Sequence, residues 1–297
     1  MELYFESSRI QKQSEIIRHT LRYIKNTNIP LPSLVEISDS GTCNRVCGFC
    51  PRSDLNYKNI KKFISEDLHQ SISRQLSEYE YCGMLKYSGF SEPLLNKQIY
   101  HNISVARSYL PNCIIELNTN GDVLNKKRLQ KLFDSGLSTI LISVYDGKED
   151  EEKFIKLCNS LGLKEEQFLI RNRYLPSEQN FGLNLSNRGG MLKNAKHSIK
   201  PLKKSLSRPC YYPSYNFFVD YNGDVLICCH EWGKKNILGN LNNQSFYDIW
   251  TSKLTKISRK SLMKGNRNFS PPCDICDVNG TRIGKTHAEA WKKTYKK

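Results

Sequence analysis

The chain has 297 residues, a formal net charge of +16 and eleven cysteines. A chain of this length can bury one large core, and no apolar run reaches the roughly 20 residues that a membrane span requires. Residues 1–10 are polar and lack the apolar stretch of a signal peptide. Eleven cysteines in such a chain indicate metal binding or catalysis in the reducing cytoplasm rather than a disulfide framework. The lysines are scattered rather than grouped with aromatic residues, so the charge does not by itself indicate a nucleic-acid partner.

The apolar pattern predicts alternating strands and helices. A leading helix is expected over residues 7–25, and Pro30 and Pro32 prevent its continuation. The expected strands lie at 34–38, 84–88, 114–118, 139–144 and 167–171, and the expected helices at 65–79, 97–109, 125–135 and 149–161. Repeated strand–helix units imply an α/β fold with a parallel sheet and right-handed crossovers. In such folds the chemistry lies at the carboxyl ends of the strands.

Three cysteines follow the first strand at Cys-x3-Cys-x2-Cys spacing, namely Cys43, Cys47 and Cys50. Three thiolates this close in sequence can bind three irons of one [4Fe-4S] cube and leave the fourth iron open to another ligand. A zinc site is the alternative. Structural zinc usually takes four ligands from two closely spaced pairs, and no second pair or histidine follows nearby.

This spacing resembles the signature of the radical S-adenosylmethionine (SAM) superfamily, in which the open iron chelates the amino and carboxylate groups of SAM. The resemblance covers roughly residues 34–176 and continues in a partial Gly-Gly-Glu-Pro-type motif, where Phe90 and Ser91 stand in place of the second glycine. It implies a partial (β/α)6 TIM-like barrel that binds a [4Fe-4S] cluster and SAM. The SAM-binding residues that it implies are Phe49, Gly89, Phe90, Ser91, Glu92, Asn118, Ser143 and Arg171, with Arg173 as the alternative to Arg171.

A second cysteine set lies in the C-terminal third, at Cys210, Cys228, Cys273 and Cys276. Four thiolates can bind a second cube or a zinc ion. An expected hairpin over residues 217–227 precedes Cys228, and its Asn-Gly pair at 222–223 predicts a type I′ turn. The hairpin and the final Cys-x2-Cys resemble the SPASM/twitch extension of radical SAM enzymes, which implies an auxiliary [4Fe-4S] cluster in the shorter, single-cluster form.

These patterns predict three regions. A helical segment is expected over residues 1–33, the barrel over 34–190, and a cluster-binding extension of a β-hairpin plus helix, with a basic tail, over 191–297.

Two further residues are candidates for catalysis on the strength of the resemblance. Cys229 neighbours a cluster ligand, and in some radical SAM epimerases a cysteine at this place returns a hydrogen atom to the substrate radical. Cys229 is alternatively a structural thiol or a ligand in place of Cys228. Arg188 lies in the linker, where related dehydrogenases carry an arginine that binds the substrate and assists its deprotonation; its alternative is a role in loop electrostatics alone.

The resemblance implies reductive cleavage of SAM to a 5′-deoxyadenosyl radical, which abstracts a substrate hydrogen, with the electron supplied by an external donor such as flavodoxin or ferredoxin. Only about 33 residues precede the first strand, too few for an independent leader-binding domain. We therefore expect dehydrogenation or epimerisation of a sugar, aminocyclitol or sugar nucleotide, and the positive charge suits a phosphorylated one. The alternatives are a maturase or epimerase of a ribosomally made peptide, and a non-enzymatic iron–sulfur protein that binds nucleic acid or senses redox state.

Overall fold

The computed structural model describes residues 15–194 and 198–296. The strands are β1 (Leu34–Ser38), β2 (Ser40–Gly41), β3 (Ile60–Phe63), β4 (Met84–Tyr87), β5 (Ile114–Thr119), β6 (Thr139–Val144), β7 (Phe168–Asn172), β8 (Asn216–Asp220), β9 (Asp224–Leu226) and β10 (Ile237–Asn240). The helices are α1 (Glu66–Ser77), α2 (Ile99–Tyr109), α3 (Lys126–Asp134), α4 (Lys148–Asn159), α5 (Tyr212–Tyr215), α6 (Phe246–Thr251), α7 (Lys253–Met263) and α8 (Lys285–Thr294).

Eight of the described strands form one sheet in the order β10-β9-β8-β1-β4-β5-β6-β7. The neighbours from β8 to β7 are parallel, whereas β9 and β10 are antiparallel additions at one edge. The predicted α/β class with a partial parallel barrel and a C-terminal hairpin is confirmed. The sixth parallel strand, β8, is the first strand of the hairpin, so the extension continues the barrel sheet instead of forming a separate layer.

The helices cover one face of this sheet and bury its apolar side chains. Side chains such as Val35, Ile37, Leu85, Ile115 and Leu117 alternate along their strands with residues of the opposite face and are fully buried. The helix starts follow ordinary capping rules: Ser65 caps α1, and the expected cap Asn125 accepts a hydrogen bond from the backbone N–H of Arg128.

Two local expectations were wrong, and one element was missed. The leading helix falls partly outside the described residues; residues 15–19 are helical, but the helix does not continue to residue 25. The hairpin turn is not type I′, because Asn222 lacks the positive φ that this turn requires. Instead Gly223 has a φ of +87° and donates its N–H to the Asp220 carbonyl at 2.9 Å, as in a three-residue hairpin loop. The short ribbon of β2 and β3 beside the cysteine loop was not predicted.

All eleven cysteines are free thiols in the structure. In the described part of the chain, no helix has the length and apolar character needed to cross a bilayer.

Candidate active site and cluster-binding sites

The first cysteine loop leaves the barrel at the carboxyl end of β1. Cys43, Cys47 and Cys50 are partly buried, and the Cys50 N–H donates to the Cys47 carbonyl at 2.9 Å, which turns the loop back on itself. Burial and, to a smaller extent, the nearby Cys50 and Cys43 thiols raise the pKa of Cys47 to about 12. The three sulfurs therefore lie close enough to influence one another, and they must lose protons when they bind iron.

An ion-pair clamp holds this loop, and sequence reasoning missed it. The Arg45 guanidinium lies between the Asp122 and Asp146 carboxylates, with Nε 2.8 Å from Asp122 Oδ2 and one terminal nitrogen 3.0 Å from Asp146 Oδ1. The aspartates follow β5 and β6, so the clamp ties the cysteine loop to two strand ends. The Asn120 side chain adds a hydrogen bond to Asn44 Oδ1 at 2.8 Å. A signal was available in the sequence, because the triplet contains an arginine and acidic residues follow both strands.

The loop after β4 contains the partial glycine motif. Gly89 has a φ of +98°, and a Cβ there would lie 2.9 Å from the Phe218 ring, so both backbone and space require glycine. The Phe90 ring is buried, with its centroid 4.8 Å from that of Phe218 and 4.5 Å from that of Trp232. The Phe90 carbonyl accepts a hydrogen bond from Arg52 Nε at 2.9 Å.

Glu92 and Ser91 hold neighbouring loops together. The Glu92 carboxylate is buried and accepts from the Thr119 hydroxyl and from the Asn120 N–H, both at 2.7 Å. Burial raises the pKa of Glu92 to about 7 despite these bonds. The Ser91 hydroxyl donates to Asp39 at 3.3 Å. Protein groups thus occupy much of the hydrogen-bonding capacity of both side chains, and their contact with SAM stays a prediction.

An open cavity of about 550 Å³ lies beside the cysteine loop and is lined in part by Cys47, Phe49, Tyr145, Arg173 and Phe181. The Phe49 and Tyr145 rings are nearly parallel with centroids 6.1 Å apart, and Phe181 packs on Phe49 at 5.2 Å. This size and lining suit a nucleoside-sized ligand with a planar ring and a charged group.

The two candidate arginines of β7 are separated by the structure. Arg173 lines the cavity next to Cys47, whereas Arg171 is the register partner of Ser143 and lies near Glu116 inside the barrel. Asn118 also faces the interior, and its buried Oδ1 has no hydrogen-bond partner among the described residues. Of the two arginines, Arg173 is the better placed for a ligand at the first cluster.

The barrel interior carries charges that sequence reasoning did not single out. Glu36, Lys86 and Glu116 are neighbours in the register of β1, β4 and β5. The Lys86 Nζ lies 2.6 Å from Glu116 Oε1, and Glu36 accepts a hydrogen bond from the Ser88 hydroxyl. Burial acts to raise the pKa of Glu116, but the charge of Lys86 leads the opposing effects and the pKa is lowered. The sequence carried a signal, because each of these strands has a charged residue directly after two apolar ones.

The second cysteine set surrounds one small apolar cavity. Cys210, Cys228, Cys273 and Cys276 all line it, and burial raises the pKa of each thiol, to about 11 for Cys276. Within residues 15–194 and 198–296, no three thiol, imidazole or carboxylate groups converge tightly enough for a single metal ion. The donor set of four thiols around one cavity fits an iron–sulfur cube, whose irons are held by Cys thiolates.

Cys228 and Cys229, although adjacent in the chain, have different surroundings. Cys228 faces the four-thiol cavity, whereas Cys229 packs on the aromatic cluster of Phe90, Phe218 and Trp232, which Cys50 of the first loop also contacts. Cys228 therefore shares a cavity with Cys210, Cys273 and Cys276, and its role as a cluster ligand stays a prediction.

The charge of Arg188 acts on Cys50 of the first cysteine set and on Cys229. Burial raises the pKa of both Cys50 and Cys229, and the positive charge of Arg188 opposes that rise at both thiols. Glu36 and Lys86 also influence Cys229. The structure therefore brings Arg188 and Cys229 together with the charged barrel interior.

Known proteins match the chain over both sites. Residues 37–171 match the family model of the radical SAM superfamily, and residues 210–277 match that of SPASM, an iron–sulfur cluster-binding domain. The fold and these two regions define an iron–sulfur enzyme built on a partial barrel. The chain belongs to the radical SAM superfamily and carries a C-terminal SPASM domain. Its cofactors are SAM, a [4Fe-4S] cluster and auxiliary iron–sulfur cluster binding at the SPASM domain.

Individual relatives resemble the chain to different extents. The S-adenosyl-L-methionine-dependent 2-deoxy-scyllo-inosamine dehydrogenase of Niallia circulans is 29% identical over 245 residues, which cover 82% of this chain and 92% of the relative. The solved structure of BtrN in complex with AdoMet and 2-DOIA superposes with a TM-score of 0.71 at 27% identity, covering 87% of this chain and 98% of that one. The structure of anSMEcpe with bound AdoMet, at 14% identity, a TM-score of 0.53 and coverage of 89% and 96%, supports the fold alone.

Proposed function

We propose that this protein is a SAM-dependent dehydrogenase that oxidises an alcohol carbon of an aminocyclitol or a closely similar amino sugar. The support is the similarity to a 2-deoxy-scyllo-inosamine dehydrogenase over 82% of the chain, together with the likeness to a structure holding AdoMet and 2-DOIA. In this proposal the substrate is a small molecule, and the electron comes from an external donor such as flavodoxin or ferredoxin.

The observation that carries the proposal is the charged interior between the two cysteine sets. A polyhydroxylated amine needs carboxylates for its ammonium group and cationic or amide donors for its hydroxyls. Glu36 and Glu116 can serve the first need, and Lys86, Arg171 and Asn118 the second. Such groups are costly to bury without a purpose, because ions and amides lose hydration there.

The proposed ligand sets follow the sequence prediction. Cys43, Cys47 and Cys50 would hold the first cluster, and the four-thiol cavity would hold the auxiliary cluster. When bound, the clusters and SAM supply the 5′-deoxyadenosyl radical and the electron acceptor for a net two-electron oxidation.

The protein's own task is to bind, orient and deprotonate the substrate. Oxidation of a secondary alcohol to a ketone removes one hydrogen atom from carbon and then one proton and one electron. A guanidinium close to the hydroxyl lowers its pKa by favouring the charged form, and in this proposal Arg188, whose charge acts on Cys229, supplies that guanidinium. The aromatic cluster of Phe90, Phe218 and Trp232 excludes water beside Cys229.

The test uses the anaerobically reconstituted protein with SAM, dithionite and 2-deoxy-scyllo-inosamine as the probe. We expect a product two hydrogens lighter, formed in equal amount to 5′-deoxyadenosine. Formation of 5′-deoxyadenosine without any oxidised product would contradict the aminocyclitol proposal, and absence of 5′-deoxyadenosine with both clusters intact would contradict the SAM chemistry.

The Cys229→Ala variant separates dehydrogenation from epimerisation. A dehydrogenase should keep its product yield in this variant, because no hydrogen atom has to return to the substrate. If turnover in heavy water instead places deuterium on carbon in the wild type and not in Cys229→Ala, the enzyme is an epimerase.

A further inference from the structure

Asn187, the residue before Arg188, is fully buried, and its backbone N–H and side-chain amide form hydrogen bonds with segments distant in the chain. Its backbone N–H donates to Asp277 Oδ1 at 2.9 Å, and its Nδ2 donates to the Ile275 carbonyl at 2.7 Å and the Lys200 carbonyl at 3.1 Å. Its Oδ1 accepts from the backbone N–H groups of Gly190, at 3.1 Å, and of Asp277, at 3.4 Å. One asparagine thus joins the linker to residues 275–277.

Residues 275–277 also carry Cys276, a thiol of the four-thiol cavity. The Ile275 side chain fills the space at Gly190, where a Cβ would lie 2.4 Å from its Cδ1. Gly189 lines the same cavity, and a Cβ there would lie 2.7 Å from the His230 carbonyl. The linker and residues 275–277 therefore pack directly against each other.

The linker backbone does not hold this shape by its own preference. Arg188, Gly189 and Gly190 have φ values of +49°, +62° and +81°. A left-handed conformation costs a non-glycine residue such as Arg188 roughly 1–2 kcal/mol. The hydrogen bonds of Asn187 act against this cost.

We propose that Asn187 is a positioning residue through which the auxiliary site sets the place of Arg188. Ligation of Cys273 and Cys276 fixes residues 275–277, and the Asn187 amide transfers that order to the linker. The part played by Arg188 in oxidation rests on the proposed function, but the coupling between the auxiliary site and the linker does not.

The test uses Asn187→Asp, which keeps the acceptor for the Gly190 N–H and removes the two side-chain donor bonds. The control is Asn102→Ala, which alters an equally buried asparagine on α2, a helix that contains none of the seven predicted cluster ligands. Amide hydrogen exchange is measured over residues 186–190, before and after a chelator removes the iron. In the wild type and in the control, we expect iron removal to speed exchange in this segment at least tenfold.

In Asn187→Asp, exchange in this segment should already be fast with both clusters loaded, and iron removal should change it little. The coupling would be refuted if residues 186–190 of the wild type exchanged equally fast with and without iron. It would also be refuted if the loaded Asn187→Asp variant exchanged as slowly as the loaded wild type.

A second readout examines Arg188 with the same probe as above. Asn187→Asp should still cleave SAM but should yield at least tenfold less oxidised product per 5′-deoxyadenosine. Wild-type yield together with increased exchange would refute the positioning role. If the wild type itself fails to oxidise the probe, the proposed function has failed, and the exchange experiment still decides the coupling.

Discussion

The Lys86–Glu116 ion pair inside the barrel offers a test of whether the buried charges serve binding or stability. Its side chains are 6% and 1% exposed, and the charged atoms are 2.6 Å apart. Lys86→Met removes the ammonium group while keeping an unbranched side chain of similar length. Glu116 is then left buried without its nearest partner.

The expected loss of stability follows from that geometry. Removing one partner of a buried ion pair costs about 3–5 kcal/mol, because the remaining charge is neither hydrated nor paired. Arg18 and Arg171 also lie near Glu116 and compensate in part, so the lower value is expected. For a chain of this size, such a loss lowers the Tm by roughly 5–8 °C.

The double variant Lys86→Met with Glu116→Gln removes both charges and should recover most of the Tm, since a neutral buried pair needs no counter-ion. Thermal unfolding is compared with 5′-deoxyadenosine formation and with oxidation of 2-deoxy-scyllo-inosamine. Both variants should cleave SAM but lose oxidation at least tenfold. The exposed pair Lys25–Glu80 supplies the control, because Lys25→Met should change neither quantity. An unchanged Tm in the single variant, or wild-type oxidation in the double variant, would refute the reasoning.

Two further predictions concern groups near the first cluster. Burial raises the pKa of Asp39 to about 7, outweighing the hydrogen bonds from Asn96 and Ser91, so the folded protein holds this proton more tightly than the unfolded chain. The unfolding free energy should therefore decrease as pH rises from about 4 to 7, by up to about 4 kcal/mol from this group. Urea titrations over this pH range should show a weaker dependence in Asp39→Asn. An equal pH dependence in the variant and the wild type would contradict this. Arg45→Leu should speed iron release to a chelator roughly tenfold, because it frees the cysteine loop from Asp122, while Arg74→Leu on an exposed helix pair should leave the rate unchanged.

Much of the fold could be predicted because local patterns determine it. The strand over 139–144 matches β6 at both ends, and the helix start at Asn125 follows from one side-chain hydrogen bond. The type I′ turn was not predictable in the same way. The Asn-Gly pair permits several turns, and the register of β8 with β9 selects a three-residue loop.

The sequence by itself determined the cysteine spacing, the order of strands and helices, and the radical SAM and SPASM character, since each depends on residues close together in the chain. Only the tertiary structure decided that β8 lies beside β1, that Cys228 and Cys229 face different surroundings, and that Glu36 and Lys86 share one interior. In a strand, successive side chains lie on opposite faces of the sheet, but the sequence does not say which face is turned toward the barrel interior. The pairing between segments distant in the chain decides which face is inward, and this pairing produces no periodic pattern in the sequence.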